Sequence, residues 1–232
     1  MKIINFILAF FLIAFNSTSY SQSKRIQISI TPTFEHQILH LDDSSFIRND
    51  WNNLQIEVLK FYISNIQFLK SGKLVLEEKN SFHLIDAADK NTWNIVVENH
   101  ENAIYDEVRY NLGINSSTNA AGALGGDLDP TKGMYWTWQS GYINFKLEGT
   151  SSVCKTRNNS FTFHLGGFLE PFYAIQFLSF FIKDQQQINL NLDIAQLLRR
   201  IELSKQNHIM SPSTDAVNLS KIVAESFKIS EN

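Results

Sequence analysis

The sequence predicts an all-β fold, an antiparallel β-sandwich or barrel with two short helices near the C-terminus. Three observations predict it. Short apolar-rich segments with period-two alternation recur along the chain between Gly, Asn and Ser turn signals. Helical periodicity is confined to the segment after Asp193. Cys154 is the single cysteine, so no intramolecular disulfide is available and stability must come from a core, which 44% apolar residues in a chain of 232 supply.

The N-terminus reads as an export signal. Met1 and Lys2 give a short basic start, and 6–15 (FILAFFLIAF) is an apolar run too short to cross a bilayer. Ser19-Tyr20-Ser21 places small residues at the −3 and −1 positions of a cleavage site, so 1–21 is expected to be removed and the mature protein to start at Gln22. Losing Lys2 moves the formal net charge from −3 to −4. With no basic stripe, a nucleic-acid binder is excluded as a class. No later apolar stretch is long enough to span a membrane, and 22–232 shows no repeat or linker, so one exported domain is expected.

Strands are expected over 25–31, 54–69 with a break near Ser64-Asn65, 73–77, 82–85, 105–113, 141–148, 160–165, 174–182 and 187–192. The alternation is plainest in 142–147 (YINFKL), where Ile143, Phe145 and Leu147 take one face and Tyr142, Asn144 and Lys146 the other. Asp193 can N-cap a helix with Ile194, Leu197, Leu198 and Ile201 at helical spacing and Arg199, Arg200 and Lys205 toward its end. Ser213 or Thr214 caps a second, with Leu219, Ile222, Val223 and Phe227 as its stripe.

Two segments carry unusual chemistry. The stretch 113–149 opens with small residues, passes through Asp127-Leu128-Asp129-Pro130 and enters Tyr135-Trp136-Thr137-Trp138. Loops of this length are commonly functional, and an extended Tyr135-to-Trp138 run would set both indoles on one face as an aromatic surface. In Phe161-Thr162-Phe163-His164-Leu165-Gly166-Gly167, Thr162 and His164 share a face, and the double glycine permits close approach just beyond the histidine. No CxxC, HExxH or GxSxG motif is present. Asp127, Asp129 and Gly133 fall short of a calcium loop, which leaves a structural Asp turn before Pro130. Cys154 reads as a packed residue at a strand end. His36, His40, His83, His100, His164 and His208 each default to packed or hydrogen-bonded side chains when taken singly.

Taken together, Phe61-Tyr62-Ile63-Ser64-Asn65-Ile66, Phe82-His83-Leu84-Ile85-Asp86, the WxWQxGY run from Trp136 to Tyr142, and Phe163-His164-Leu165-Gly166-Gly167 resemble, in this order, the methanobactin-associated periplasmic copper-binding proteins, the MbnP-like domain family. The resemblance covers nearly the whole mature chain. It implies a periplasmic Greek-key β-sandwich, not an enzyme, that holds one copper ion through imidazoles and a tryptophan oxidised to kynurenine by a di-haem, peroxidase-like partner. His164 matches the family's HLG histidine, and Trp136 and Trp138 match its WxW pair. His36, after the first strand, and His83 complete the expected ligand set. His208, beside Met210, is a further candidate because imidazole with thioether suits Cu(I). The loop INSSTNAAGALGGDLDP lacks the histidine, and Phe168 replaces the cysteine, of members associated with methanobactin. A second reading is a carbohydrate- or peptide-binding module with Tyr135, Trp136, Trp138 and Tyr142 as a stacking platform. A third, an enzyme using Asp127 and Asp129, lacks an acid/base partner.

Overall fold

The structure, a computed structural model, describes residues 24–41, 48–138 and 141–230. The signal-peptide reading of 1–21 falls outside them.

Strand β1 (Lys24–Phe34) buries Ile26, Ile28 and Ile30 and leaves Gln27 and Ser29 partly exposed, the pattern of a half-buried strand. It turns into β2 (Gln37–Ile38) through Glu35 and His36, both at positive φ (50° and 68°), as a two-residue hairpin requires. The long β3 (Gln55–Lys70) is followed by β4 (Lys73–Glu77) and β5 (Phe82–Asp86), both paired to it. Next come β6 (Asn94–Asn99) and β7 (Glu107–Leu112). The expected break in 54–69 is a bulge within one strand: the register against β7 shifts between Ser64 and Gln67, and Asn65 has φ 52°.

A long loop then holds helix α1 (Ser116–Ala120) and the two-residue β8 (Tyr135–Trp136). The rest of the chain runs β9 (Gly141–Thr150), β10 (Ser160–Gly166), β11 (Gln176–Phe181), β12 (Gln187–Asp193), α2 (Ile194–Leu198), β13 (His208–Ile209), α3 (Thr214–Glu225) and β14 (Phe227–Ile229). Asp193 caps α2 by accepting from the Ala195 N–H, and Ser213 caps α3 by accepting from Ala216, as the sequence predicts. Helix α2 ends before Ile201, and Phe227, expected on the second helical stripe, starts β14 instead.

Two sheets face each other. The smaller runs β14-β12-β1, with β6 and β2 on the other side of β1; the larger runs β11-β7-β3-β9-β10-β13, with β4 and β5 also on β3 and β8 on β9. Ile26, Ile28, Ile30 and Leu190 of the first meet Phe61, Phe145 and Phe163 of the second in one core cluster, which makes the molecule a β-sandwich. The antiparallel expectation is corrected at two junctions, since β1–β12 and β10–β13 pair in parallel. Parallel neighbours are joined only through long crossovers, so their pairing leaves no local trace in the sequence.

Candidate metal centre

Strands β9 and β10 pair antiparallel with Glu148 opposite Thr162 and Lys146 opposite His164. Phe145, Leu147, Phe161, Phe163 and Leu165 turn inward, so Lys146, Glu148, Thr162 and His164 share the outer face. Strand β13 adds in parallel to the other edge of β10, His208 beside Thr162 and Ile209 beside Phe163. Ile209 is buried in the core and His208 is exposed on the outer side; β13 ends at Ile209, and Met210 follows it exposed.

The chemistry of His164 follows from its surroundings. It is 6% exposed, and its Nε2 lies 2.6 Å from Glu148 Oε1. Burial holds the imidazole pKa below its ordinary value; the bond to Glu148 works the other way, and Lys146 and His208 lower it further. Burial alone would raise the Glu148 carboxyl, but the hydrogen bond to His164 and the Lys146 ammonium, 3.3 Å away, outweigh it and leave the group below the usual carboxylate range. At neutral pH the pair is therefore a neutral imidazole and a carboxylate. A carboxylate only accepts, so Nε2 carries the proton and Nδ1 keeps a bare lone pair. That Nδ1 is buried without a hydrogen-bond partner. A carboxylate that fixes one ring nitrogen while the other is left free is how metal-binding histidines are oriented.

His36 and His83 do not join it. His36 sits exposed at the β1–β2 turn in the smaller sheet, placed there by hairpin geometry. His83 is half-buried on β5 and bonds Glu78 Oε2 at 2.9 Å. Strands β3 and β9 intervene between β5 and β10, a separation of roughly 14 Å at about 4.8 Å per strand step. Among the described residues, no three His, Cys, Asp or Glu side chains gather as a metal group. The nearest further soft donors lie on and just past the adjoining strand: His208 is close enough to act on the charge of His164, and Met210 follows it two residues on. The sequence reading missed Glu148 as a partner. Its signal was present: a polar position on one strand whose antiparallel neighbour carries a histidine on its polar face.

The aromatic run is joined to the same strand. Trp136 is 5% exposed and Trp138 is 64% exposed, with ring centroids 5.8 Å apart and planes tilted by 46°. Strand β8 ends at Trp136, so the two indoles touch without lying on one extended face. A Cβ on Gly166 would stand 2.6 Å from the Tyr142 carbonyl and 2.8 Å from the Trp136 ring. Gly167 has φ 135°, and a Cβ there would lie 2.2 Å from the Phe172 carbonyl. The double glycine of HLGG thus exists to let Trp136 and the following loop close on β10. Beside Trp136 lies an apolar cavity of about 150 Å³ bounded by Tyr142, Phe168, Pro171, Phe172 and Pro212. Trp136 Nε1 is buried and unpaired. Tyr142 packs edge-on against Tyr62 and Tyr135 in a second small core, so the four-ring stacking platform reduces to one exposed ring, Trp138.

Asp127 and Asp129 are structural. Asp127 accepts from Lys132 Nζ at 2.6 Å and from the Leu84 N–H at 3.0 Å, while Asp129 accepts from the Thr131 N–H at 2.8 Å at the start of a 3₁₀ turn. Cys154 is buried in the core, and burial pushes its thiol pKa up, away from reactivity.

A search of curated proteins matched nothing. Among solved structures, the chain is similar to MbnP from Methylosinus trichosporium at 13% identity and a TM-score of 0.61, covering 84% of this chain and 87% of that one, a likeness of fold. The MbnP family model matches residues 23–211, a span that holds β1 to β13, the HLGG strand, the WxW run and Met210. The chain belongs to the MbnP family.

Proposed function

We propose that this protein is an exported, periplasmic copper-binding member of its family, acting by binding rather than catalysis, and that it holds copper at the outer face of β10. One observation carries the reading: a neutral His164, oriented by Glu148 through Nε2, keeps a buried Nδ1 with nothing to bond. His208 and Met210 complete the donor set, and the three together favour the reduced ion. Copper would supply the Lewis acidity that satisfies the orphaned lone pair. Lys146 is tied to Glu148, so its cation is offset before any metal arrives.

A tryptophan oxidised to kynurenine extends this reading. Opening the indole C2–C3 bond inserts two oxygen atoms, drawn from two hydrogen peroxide molecules that leave as water. Hydrolysis then releases the former C2 as formate, leaving an aryl amine and a ketone. The oxidant would be handled by a di-haem, peroxidase-like partner, and Trp138 is the indole such a partner can reach. An aryl amine beside the site adds a donor that an indole N–H, donor of a proton only, does not offer.

The test is competition for Cu(I) against a chromophoric chelator under reducing, anaerobic conditions. His164→Ala and Met210→Leu should each weaken Cu(I) binding at least tenfold, and His36→Ala and His83→Ala should leave it unchanged. Equal affinity in all four variants would remove the site from β10.

A further inference from the structure

The cavity beside Trp136 has the size and the walls of a small-molecule site. It holds about 150 Å³, is bounded chiefly by aromatic and proline side chains, and opens at exposed Leu169, Glu170 and Pro171. An apolar cavity of about this volume accepts one benzene-sized ring. Its wall is formed before any ligand arrives. In the loop after β10 the Gly167 carbonyl accepts from the Ala174 N–H at 3.0 Å, the Leu169 carbonyl from the Phe172 N–H at 2.9 Å, and the Phe168 carbonyl from the Ser116 hydroxyl at 2.8 Å. Phe168 also seats on Gly141, where an added Cβ would stand 3.1 Å from its ring. A wall fixed by its own bonds has little freedom left to lose when the space is filled.

The polar groups of the wall decide which ring. Tyr142 Oη is already satisfied, since it accepts from the Leu124 N–H at 2.9 Å and donates to the Gly122 carbonyl at 3.2 Å. Trp136 is not: its Nε1–H is buried with no acceptor. The benzene end of that indole, Cζ3 and Cη2, meets Gly166, so the pyrrole end that carries Nε1 lies on the side away from Gly166. An indole N–H only donates, and a buried donor left unpaired is costly, so the ligand that gains most here is one that accepts. The positive edge of the same ring turns away a cation at that end. Glu170 at the mouth, on a chain of formal net charge −3, turns away an anion. We propose that this cavity binds a small uncharged aromatic molecule carrying a hydrogen-bond acceptor, and that Trp136 Nε1–H is the donor that selects it.

The experiment titrates the full mature chain, free of copper, with benzene as the probe of shape and pyridine as the probe of hydrogen bonding, at neutral pH where pyridine is uncharged. Calorimetry and proton NMR read the result. Benzene should occupy one site with a dissociation constant of about 1 mM or tighter, a modest demand on roughly six non-hydrogen atoms. Its protons should show nuclear Overhauser contacts to Phe172 and Pro212. In wild-type protein the Trp136 Nε1 proton should move downfield with pyridine and not with benzene. Trp136→Phe keeps an aromatic wall and removes the donor, so affinity for pyridine relative to benzene should fall about tenfold. Benzene binding by that variant shows that its cavity is intact, and taking the ratio cancels the different hydration of the two probes. No saturable benzene binding, or contacts to other residues, overturns the site. An unmoved Nε1 proton, or an unchanged ratio in Trp136→Phe, overturns the donor's role. Tetramethylammonium or benzoate binding more tightly than benzene overturns the ligand class.

Discussion

Glu148 Oε1 and His164 Nε2 lie 2.6 Å apart across the β9–β10 pair, on the face opposite Leu147, Phe161, Phe163 and Leu165, which enter the core. The carboxylate decides the tautomer of the imidazole, and the tautomer decides what the other nitrogen can do. If Nδ1 is a copper ligand, weakening this bond without removing the histidine should reduce affinity by an amount typical of an orienting partner. Glu148→Gln is therefore expected to lower Cu(I) affinity about 10–100-fold, less than His164→Ala does. Chelator competition on both variants measures it; unchanged affinity in the Glu148→Gln protein would separate the carboxylate from the metal site.

The packing of Trp136 on Gly166 gives a sharper structural expectation. A methyl group at this position meets a backbone carbonyl at 2.6 Å and an indole ring at 2.8 Å, and the carbonyl cannot swing aside. Gly166→Ala should cost about 1–3 kcal/mol, the usual range for overpacking. Urea unfolding followed by tryptophan fluorescence reads this directly, and a variant as stable as wild type would mean that Trp136 does not seat on β10.

Much of this arrangement is legible in the sequence, and the limits have physical causes. The alternation in 142–147 and in FTFHL marks β9 and β10 and the side of each that enters the sandwich core, because a strand's period of two is local information; the opposite side of β9 is not wet as expected at Tyr142 and Asn144, which are buried beneath the long loop before β9. Strand β6 escapes the sequence reading because Asn94–Asn99 is short and framed by polar residues, although Ile95 and Val97 alternate inward around exposed Val96. Histidine partnership is different in kind. His208 comes to β10 through a two-residue parallel bridge, and His36 is carried off by a hairpin turn; both depend on strand pairing across the chain, which no spacing encodes.

Acid should destabilise the sheet edge through Glu107. Hydrogen bonds from Arg109, at 2.6 Å, and from the Ser179 hydroxyl hold its carboxyl below the ordinary value; burial and neighbouring Asp106 oppose them but do not prevail. A depressed folded-state pKa means stability that is complete above the unfolded value, near pH 4.3, and is lost as pH falls through the folded one. The urea midpoint should drop below about pH 4.3. Glu107→Gln should be less stable than wild type at pH 7, with the gap narrowing in acid. A gap that stays constant with pH would show that the carboxylate's charge does not matter.

The tryptophans provide the last test, because the structure ranks them by access. Trp93 is 7% exposed and donates Nε1–H to the Asp86 carbonyl at 2.9 Å; Trp51 donates to Glu35 at 3.2 Å and lies under the Arg199 guanidinium. Trp136 packs on β10, Trp51 is partly buried, and Trp138 alone of the four is largely exposed. An oxidising partner protein transfers nothing to a ring it cannot approach, so conversion should fall on Trp138 alone. Trp136 then serves as the wall behind it, keeping water from the site. Peptide mapping of protein made with its native periplasmic partners should find one carbon exchanged for one oxygen at Trp138, with near-ultraviolet absorption to match. Protein made alone should retain four intact indoles. Oxidation at Trp136 with Trp138 intact would reverse the assignment, and four intact indoles in natively produced protein that binds copper normally would reject the kynurenine step while leaving the His164 site standing.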